Sequence, residues 1–407
     1  MKVLLIHKHF WPDTPPYAAM LKVIAERLDS DGHEVTVLST QPSYKSNSSN
    51  GKRKENFGVK GVIRRFSLIS KFNEKSNNLL NFLYFPLRVF IFILMNRHFD
   101  VVSISTTPPV LGGFITALAA RFTNTKFIYH CMDIHPEIGR ISGEFSNSFV
   151  YKIFSKLDSF ACKNASKVVV LSEDMAKSLK ARGALSQNLA NIKIINNFAL
   201  PSNQPIVNKE QLNSNYFKSS KEVFRVIFAG NIGRFQGLED ILLATKELGQ
   251  LDNFELVFLG EGKALKSLKS IAKDIPKNMV TFFPQVSVKH AKELITNADL
   301  GIVSLQPGII KYAYPSKTMT YLEQGCPLLV VLENDSELTK FVINNQLGFC
   351  ADTGCVKSVK NALLLAYNQH KEATLDRDRI IQKYLANFGE QNQLDMWSDL
   401  YGKLKRE

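Results

Sequence analysis

Residues 312–331 read YAYPSKTMTYLEQGCPLLVV. Pro315 and Ser316 suit the opening turn of a helix, Gly325 suits its close, and Pro327 introduces a run of apolar residues. The stretch therefore predicts a helix over Ser316–Gln324 followed by a buried strand at Leu328–Val331. The same alternation extends in both directions. Upstream, strands are predicted at Phe224–Ala229, Leu256–Leu259, Val280–Phe283 and Leu300–Val303. Helical segments alternate with them at Leu238–Leu248, Ala264–Ala272 and His290–Thr296. Further toward the N-terminus, short aliphatic runs recur at Val3–Ile6, Val35–Leu38, Val101–Ile104, Phe127–Tyr129, Val168–Leu171 and Ile192–Ile195. Strands alternating with amphipathic helices imply parallel sheets covered on both faces, an α/β fold.

Between the two series, Leu200–Glu222 is polar, rich in Ser and Asn, and carries two prolines, the composition of a linker. The expected organisation is an N-terminal domain over 1–198, a linker over 199–222 and a second α/β domain over 223–380. A helical segment, 381–407, is expected to pack back on the N-terminal domain. Two such domains would place a ligand cleft at the carboxyl ends of their sheets.

The 407 residues carry 51 Lys and Arg against 37 Asp and Glu, a net charge of +14, so an anionic partner has to be considered. The excess is lopsided: residues 1–200 hold 26 basic and 14 acidic side chains, and 201–407 hold 25 and 23. Five scattered cysteines without a C-x-x-C spacing suggest neither a disulfide framework nor a zinc site, and fit a reducing compartment. The start, MKVLLIHKHFWPD, has too short an apolar run for a signal peptide and reads as a buried strand. Leu79–Met95 (LLNFLYFPLRVFIFILM) contains Asn81, Pro86 and Arg88, which argue against a membrane span. It reads either as a buried helix of an α/β layer or as a helix partly facing lipid.

Three motifs could carry chemistry. In AGNIGRFQGLED, residues 229–240, a strand ends at Gly230 and Asn231 and a helix follows, so backbone N–H groups and Arg234 could face an anion. The spacing is not G-x-G-x-x-G, so no dinucleotide fingerprint is present. In LGEG, Gly260 and Gly262 would allow close backbone approach, and Glu261 could accept from a sugar hydroxyl or a nucleobase N–H. In PSKTMTYLEQG, Pro315, Ser316, Lys317 and the first-turn amides could form a phosphate site, and Glu323 could accept from ribose hydroxyls. Each has a plain structural alternative: turn glycines, a glutamate in a first helical turn, and a solvated lysine.

The ordered series GHEVTV, LSEDM, KIINN, AGNIGRFQGLED, LGEG and PSKTMTYLEQGCP resembles the family-4 glycosyltransferases of the GT-B fold over nearly the whole chain. The resemblance implies two Rossmann-like domains facing each other across a cleft. It also implies transfer of sugar from a nucleoside-diphosphate sugar with retention, the donor being held mainly by the C-terminal domain. It carries donor contacts to Gly230, Gly260–Gly262, Pro315–Lys317 and Glu323. Where the family commonly has an Arg and a Lys gripping the diphosphate, this chain has Asn231 and Gln236, leaving Arg234 and Lys317 as the nearest cations. Of the usual glutamate pair, Pro315 occupies the first position and Glu323 the second. This pattern is similar to bacterial polysaccharide enzymes with P-S-K-x-x-x-Y-L-x-x-G.

In the N-terminal half, IYHCMDIHPE places His130 and Asp133 after a strand, where family members put a His or an Asp against the transferred sugar. Either could hydrogen-bond the sugar or stabilise positive charge at its anomeric carbon. Thr107 follows the preceding strand, and Pro15 and Pro16 stand where many relatives have a glycine-rich loop; these are candidate acceptor-side loop residues. The D-x-D matches, Asp29/Asp31 and Asp376/Asp378, do not follow core strands, so no metal site or cofactor is predicted.

The expected activity is a metal-independent, retaining hexosyl- or acetamidohexosyltransferase acting on a lipid-diphosphate-linked saccharide. UDP is favoured over GDP on family grounds alone. The basic N-terminal half, with Lys52-Arg53-Lys54, Arg64-Arg65 and the Leu79–Met95 segment, would sit on anionic lipid at the cytoplasmic face of the plasma membrane. Two rivals are a nucleotide-sugar epimerase of the same architecture and a basic nucleic-acid-binding protein. The second lacks a basic stripe interleaved with aromatics, so no nucleic-acid partner is expected.

Overall fold

The computed structural model describes residues 1–406 except 14, 43–50, 71–73, 142, 144, 185–190, 201–215, 218–222, 250, 252 and 371–375, and the side chains of 74 and 75. The chain divides into two compact units. The first comprises Met1–Asn196, Lys311–Tyr314 and Gln393–Glu407; the second comprises Asn197–Ile310 and Pro315–Asn392. The division departs from the expected boundaries in three places, the first being that Asn197 and Phe198 fall in the second unit. Residues 381–392 belong to the second unit, and a four-residue segment just before Pro315 belongs to the first. Most of the expected linker, 199–222, lies outside the described residues.

The first unit carries an eight-stranded sheet: β1 (Lys2–Ile6), β2 (Glu34–Thr40), β3 (Lys54–Phe57), β4 (Gly61–Phe66), β5 (Val101–Ser105), β6 (Lys126–Cys131), β7 (Lys167–Val170) and β8 (Ile192–Ile194). Their spatial order is β3-β4-β2-β1-β5-β6-β7-β8. Val3, Leu4, Val35, Val101, Val102 and Ile128 are fully buried, as expected for strands covered on both faces. The helices are α1 (Pro16–Ser30), α2 (Glu74–Met95), α3 (Leu111–Thr123), α4 (Glu137–Ile141), α5 (Ser148–Asn164) and α6 (Glu173–Ala181). Ser172 caps α6 by accepting from Met175 N–H at 3.2 Å, a contribution of about 1 kcal/mol.

One feature corrects the sequence reading of this unit. The sheet is not wholly parallel, because β3 runs antiparallel to β4. The tetrapeptide KENF has no apolar periodicity, so this hairpin had no local signal; its turn is held from afar by Asp29, whose Oδ1 accepts from Lys60 N–H at 2.9 Å. The Leu79–Met95 segment is helical, as expected, and forms most of α2, which runs unbroken through Pro86. Phe85, Val89 and Ile93 bury its inner face, and Asn81 exchanges two 2.8 Å hydrogen bonds with the backbone of Ile69. By length and composition alone Ser76–Met95 could cross a membrane, yet one side of it is part of this unit's packing.

The second unit carries β9 (Phe224–Ala229), β10 (Phe254–Leu259), β11 (Val280–Phe283), β12 (Leu300–Ser304), β13 (Leu328–Leu332) and β14 (Gly348–Asp352), all parallel, in the order β11-β10-β9-β12-β13-β14. Its helices are α7 (Leu238–Glu247), α8 (Leu265–Ile271), α9 (Val288–Thr296), α10 (Lys317–Glu323), α11 (Glu337–Asn345), α12 (Val356–His370) and α13 (Arg377–Phe388). A core of Phe224, Phe228, Leu256, Phe258, Leu242 and Leu363 is at most 2% exposed. Each such side chain stabilises the fold by about 1.5–3 kcal/mol. Strand β14 was not foreseen, since GFCAD carries a glycine at one end and an aspartate at the other. The late helical stretch is two helices, α13 and α14 (Glu390–Arg406), parted at Gly389, where ψ is 140°.

In both sheets the strand order reverses beside the first strand of the unit, β1 next to β5 and β9 next to β12. Loops leaving those strands diverge at their carboxyl ends, which is where open α/β sheets hold ligands.

Candidate active site

In the second unit, the loops after β9 and β10 interlock by backbone contact. A Cβ on Gly260 (φ +149°) would stand 1.9 Å from the Gly230 carbonyl oxygen, and one on Gly262 (φ +158°) would stand 2.1 Å from that of Ile232. In exchange, Gly230 N–H donates to Leu259 O at 2.8 Å and Ile232 N–H to Glu261 O at 2.8 Å. We expect Gly260→Ala to lower unit stability by roughly 2 kcal/mol or more through this clash and the backbone strain, read as a lower urea midpoint.

Gly230 (φ +127°) clears a path for Lys317, since a Cβ there would lie 2.9 Å from Lys317 Cε. The ammonium consequently rests 4.7 Å above the centre of the Phe228 ring, with Gln236 Oε1 at 3.5 Å. Among the described residues no carboxylate pairs with it, and burial pushes its pKa down to about 8. Lys317 lines a cavity of about 170 Å³ whose other walls are Leu200, Ala229, Gly230, Leu259, Gln285, Val286, Val288, Ala291, Ile295, Thr320 and Tyr321. Tyr321 is locked in place because its hydroxyl accepts from Ala229 N–H at 2.9 Å. An unneutralised cation at one end of an apolar cavity suits a ligand with an anionic group and a flat, weakly polar body.

The other predicted donor residues are distributed unevenly. Asn231, Arg234 and Glu261 are exposed, Arg234 opening a short 3₁₀ turn over Arg234–Gln236. Helix α8 begins only at Leu265, so Glu261 is not in its first turn. Pro315 is buried, and Ser316 precedes α10 without a side-chain capping bond. The first-turn amide of Thr318 already donates to Pro315 O at 3.1 Å. Glu323 does not line the cavity. Its Oε2 pairs with Lys292 at 2.6 Å and accepts from Gln324 at 2.8 Å, and Lys292 also donates to Leu200 O at 2.7 Å.

In the first unit, His7 follows β1, Thr106 and Thr107 follow β5, and His130 and Asp133 lie at and just beyond the end of β6. Pro15 is the N-cap of α1 and Pro16 its first residue, which sets Tyr17 in the first turn. The Tyr17 hydroxyl then lies 2.9 Å from His130 Nδ1, and its ring meets those of His7 and His130 edge-on at 4.9 and 5.3 Å. The Trp397 ring of α14 also meets His130 edge-on at 4.9 Å. Burial, reinforced by His7, pushes the His130 pKa down to about 3, so the imidazole is neutral. Its Nε2 has no hydrogen-bond partner among the described residues. The ring can donate or accept one hydrogen bond but supplies no charge.

Asp133 differs. It is half-buried, its N–H lies 3.4 Å from Thr106 Oγ1, and it bridges to Ala313. Burial raises its carboxyl pKa to about 6, leaving it ionised at neutral pH. The loop beyond it is pinned by Arg182, which donates to His135 O at 2.9 Å, pairs with Glu137 at 2.9 Å, and pairs with Asp158. Asp158 also accepts from Tyr129 Oη at 2.7 Å. Arg182→Met would strand two poorly solvated carboxylates; we expect a loss of roughly 3–5 kcal/mol in urea unfolding, the cost typical of breaking a buried pair.

Tyr17, His7 and Trp397 carried no motif, and Trp397 reaches His130 from 267 positions along the chain. Gln285 and Val286 were findable in principle, because only Pro284 separates them from the predicted strand Val280–Phe283. Among the described residues no group of three or more His, Cys, Asp or Glu is placed to hold a metal ion.

Comparison with known proteins agrees with this layout. Residues 18–199 match the family model Glycosyltransferase Family 4, and residues 210–383 match Glycosyl transferases group 1. The chain is 26% identical over 258 residues to the probable glycosyltransferase WbjE of Pseudomonas aeruginosa, covering 62% of each chain, so it spans less than two thirds of that relative. It is 21% identical over 406 residues to the putative colanic acid biosynthesis glycosyl transferase WcaI of Escherichia coli K12, covering 95% of this chain and 99% of that one. Among solved structures, Anabaena HepE in complex with UDP superposes with a TM-score of 0.69 at 13% identity, over 99% of this chain and 100% of that one, a likeness of fold. With two α/β units built on mainly parallel sheets and family matches that leave only residues 200–209 uncovered between 18 and 383, the chain belongs to the family-4 glycosyltransferases of the GT-B fold.

Proposed function

We propose that this enzyme moves a hexose or acetamidohexose from a UDP-sugar to a hydroxyl of a lipid-diphosphate-linked saccharide, with retention, during synthesis of a bacterial surface polysaccharide. The observation that carries the donor reading is the half-buried Lys317, whose ammonium lies over Phe228 with no carboxylate partner among the described residues and lines an apolar cavity. The diphosphate would sit at that ammonium, with Arg234 adding donors from its exposed loop, and the base would lie against Val286, Val288 and Ile295. Glu323 keeps one oxygen for a ribose hydroxyl. The name of WcaI, a putative colanic acid biosynthesis glycosyl transferase, supports a polysaccharide role, and the UDP held by HepE supports the choice of nucleotide.

Of the two strand-end candidates, Asp133 is the better group to face the transferred sugar, because it is half-buried and ionised whereas His130 is buried against Tyr17 and Trp397. As the bond from the anomeric carbon to the leaving phosphate oxygen stretches, positive charge grows on the sugar and the Asp133 carboxylate stabilises it. The acceptor oxygen bonds to that carbon on the same face, and its proton passes to the departing phosphate. No protein base is then required; positioning and electrostatics supply the catalysis. The diphosphate charge is met by side chains, so chelator leaves the activity unchanged. The enzyme works as a peripheral protein at the cytoplasmic face of the plasma membrane, where its acceptor lies.

A thermal-shift series with UDP, GDP and their sugars tests the donor reading. A ligand at about 100 times its Kd adds roughly 2.7 kcal/mol to apparent stability. UDP and a UDP-sugar are expected to raise Tm; a shift with GDP alone reassigns the nucleotide, and no shift overturns the reading. Product of inverted configuration would overturn retention, and an epimerised donor released without acceptor would favour an epimerase.

A further inference from the structure

We infer that the outer face of α2, α3 and α5 is the surface by which this protein seats on an anionic lipid bilayer. This deepens the membrane-surface part of the proposed function by naming the face and its residues. Leu79, Leu83, Leu87, Ile91 and Met95 recur every fourth position along α2 and are 43–79% exposed, while Phe85, Val89 and Ile93 bury the opposite side. Fourfold spacing keeps them in one row, about 24 Å long at 1.5 Å per residue. An isolated exposed leucine needs no explanation; an uninterrupted row does.

The row is part of a broader patch. Phe122 of α3 is 65% exposed and its ring lies 6.3 Å from that of Phe90 on α2. On α5, Phe149 is 71% exposed, and the next turns are tied to α2 by the stacked pair Phe82 and Phe154, 6.5 Å apart. Among the described side chains of the three helices, the exposed ionic groups are Arg88, Arg121, Lys152, Lys156 and Lys163. The carboxylate there, Asp158, is buried against Arg182. Phe149, Ile153, Lys152 and Lys156 line one surface depression of about 350 Å³, so apolar and basic groups alternate within a headgroup's reach.

That pairing identifies the occupant. Leucine and phenylalanine tips suit the acyl boundary, and the basic groups suit lipid phosphates. A second copy on the same face would set positive charge against positive charge. The helix does not cross the bilayer, because its inner face is committed to the unit's core and Asn81 to Ile69; it lies along the interface. The structure also narrows the basic contribution expected from the sequence. Arg65 is buried against Glu55 at 2.6 Å, so it is unavailable to lipid, whereas the exposed Arg64 lies over Phe92 of α2.

The test is co-sedimentation of the full chain with vesicles of phosphatidylcholine alone and of about three parts phosphatidylcholine to one part phosphatidylglycerol, at about 0.1 M and about 0.5 M NaCl. The wild type is expected to bind the anionic vesicles at least tenfold better and to release in high salt. Leu83→Glu/Leu87→Glu should reduce binding at least tenfold, and Lys152→Ala/Lys156→Ala several-fold with a flatter salt response, both keeping the wild-type circular dichroism spectrum. Equal binding to both vesicle types overturns the proposal, as does wild-type binding by both double variants. A wild-type dimer that Leu83→Glu/Leu87→Glu makes monomeric, without vesicle binding, also overturns it. If the wild type binds vesicles as expected but UDP gives no thermal shift, the donor reading fails and this one stands.

Discussion

Lys317→Met is expected to weaken UDP binding about 10- to 100-fold, the loss associated with one charge-assisted hydrogen bond, without lowering Tm at pH 7. The methionine keeps most of the stem that passes Gly230 and removes only the ammonium. That ammonium is a cost to the empty protein. Its folded pKa of about 8 lies below the unfolded value of about 10.4, so between those values the unfolded chain binds more protons and stability rises with pH. Below pH 8 the charge is held in a site that opposes it, and removing it there does not destabilise. A diphosphate reverses the preference by favouring the protonated form. Wild-type affinity should therefore decline as pH rises through about 8, and Lys317→Arg, which keeps its charge, should flatten that decline. Isothermal titration with UDP at pH 7 and pH 9 separates the variants. Unchanged affinity in Lys317→Met would remove the cavity from the donor site.

Asp133→Asn should lower kcat by about 100- to 1000-fold, the range seen when one transition-state charge contact is removed, and leave the UDP-induced thermal shift intact. In the wild type, kcat/KM should fall as pH drops below about 6, because protonation removes the carboxylate's charge. The asparagine variant should lack that acidic limb. The stability effect has the opposite sign from the usual carboxylate. The folded pKa is raised, so between about pH 3.9 and 6 the native state binds more protons than the unfolded chain and stability falls as pH rises. At pH 7 the variant should be at least as stable as the wild type, which distinguishes a lost reaction from a damaged fold. His130→Ala is the control: if it alone loses activity and its acidic limb is unchanged, the imidazole and not Asp133 faces the sugar.

Much of the architecture was legible because it is written locally. Alternation of aliphatic runs with helical spacing identified eleven strands and four helices by the same logic that identified Leu328–Val331, since burial on both faces leaves a short apolar run in any parallel strand. The exceptions are elements whose stability is borrowed. KENF pairs as β3 because Asp29 holds its turn, and GFCAD pairs as β14 because β13 offers a free edge.

Lys317 was recognisable from its place after Pro315 and Ser316, and Asp133 from its place after a strand. The sequence by itself thus determined the α/β class, the two-part organisation, and the loops from which chemistry could come, because each depends on neighbours within a turn or two. Only the tertiary structure decided what those residues do there. It set Lys317 over Phe228 and beside Gln236, gave Glu323 to Lys292, buried His130 against Tyr17 and Trp397, and turned a leucine row of α2 outward. Those pairings join residues distant in the chain, and their charge states follow from burial, which exists only once the chain has packed.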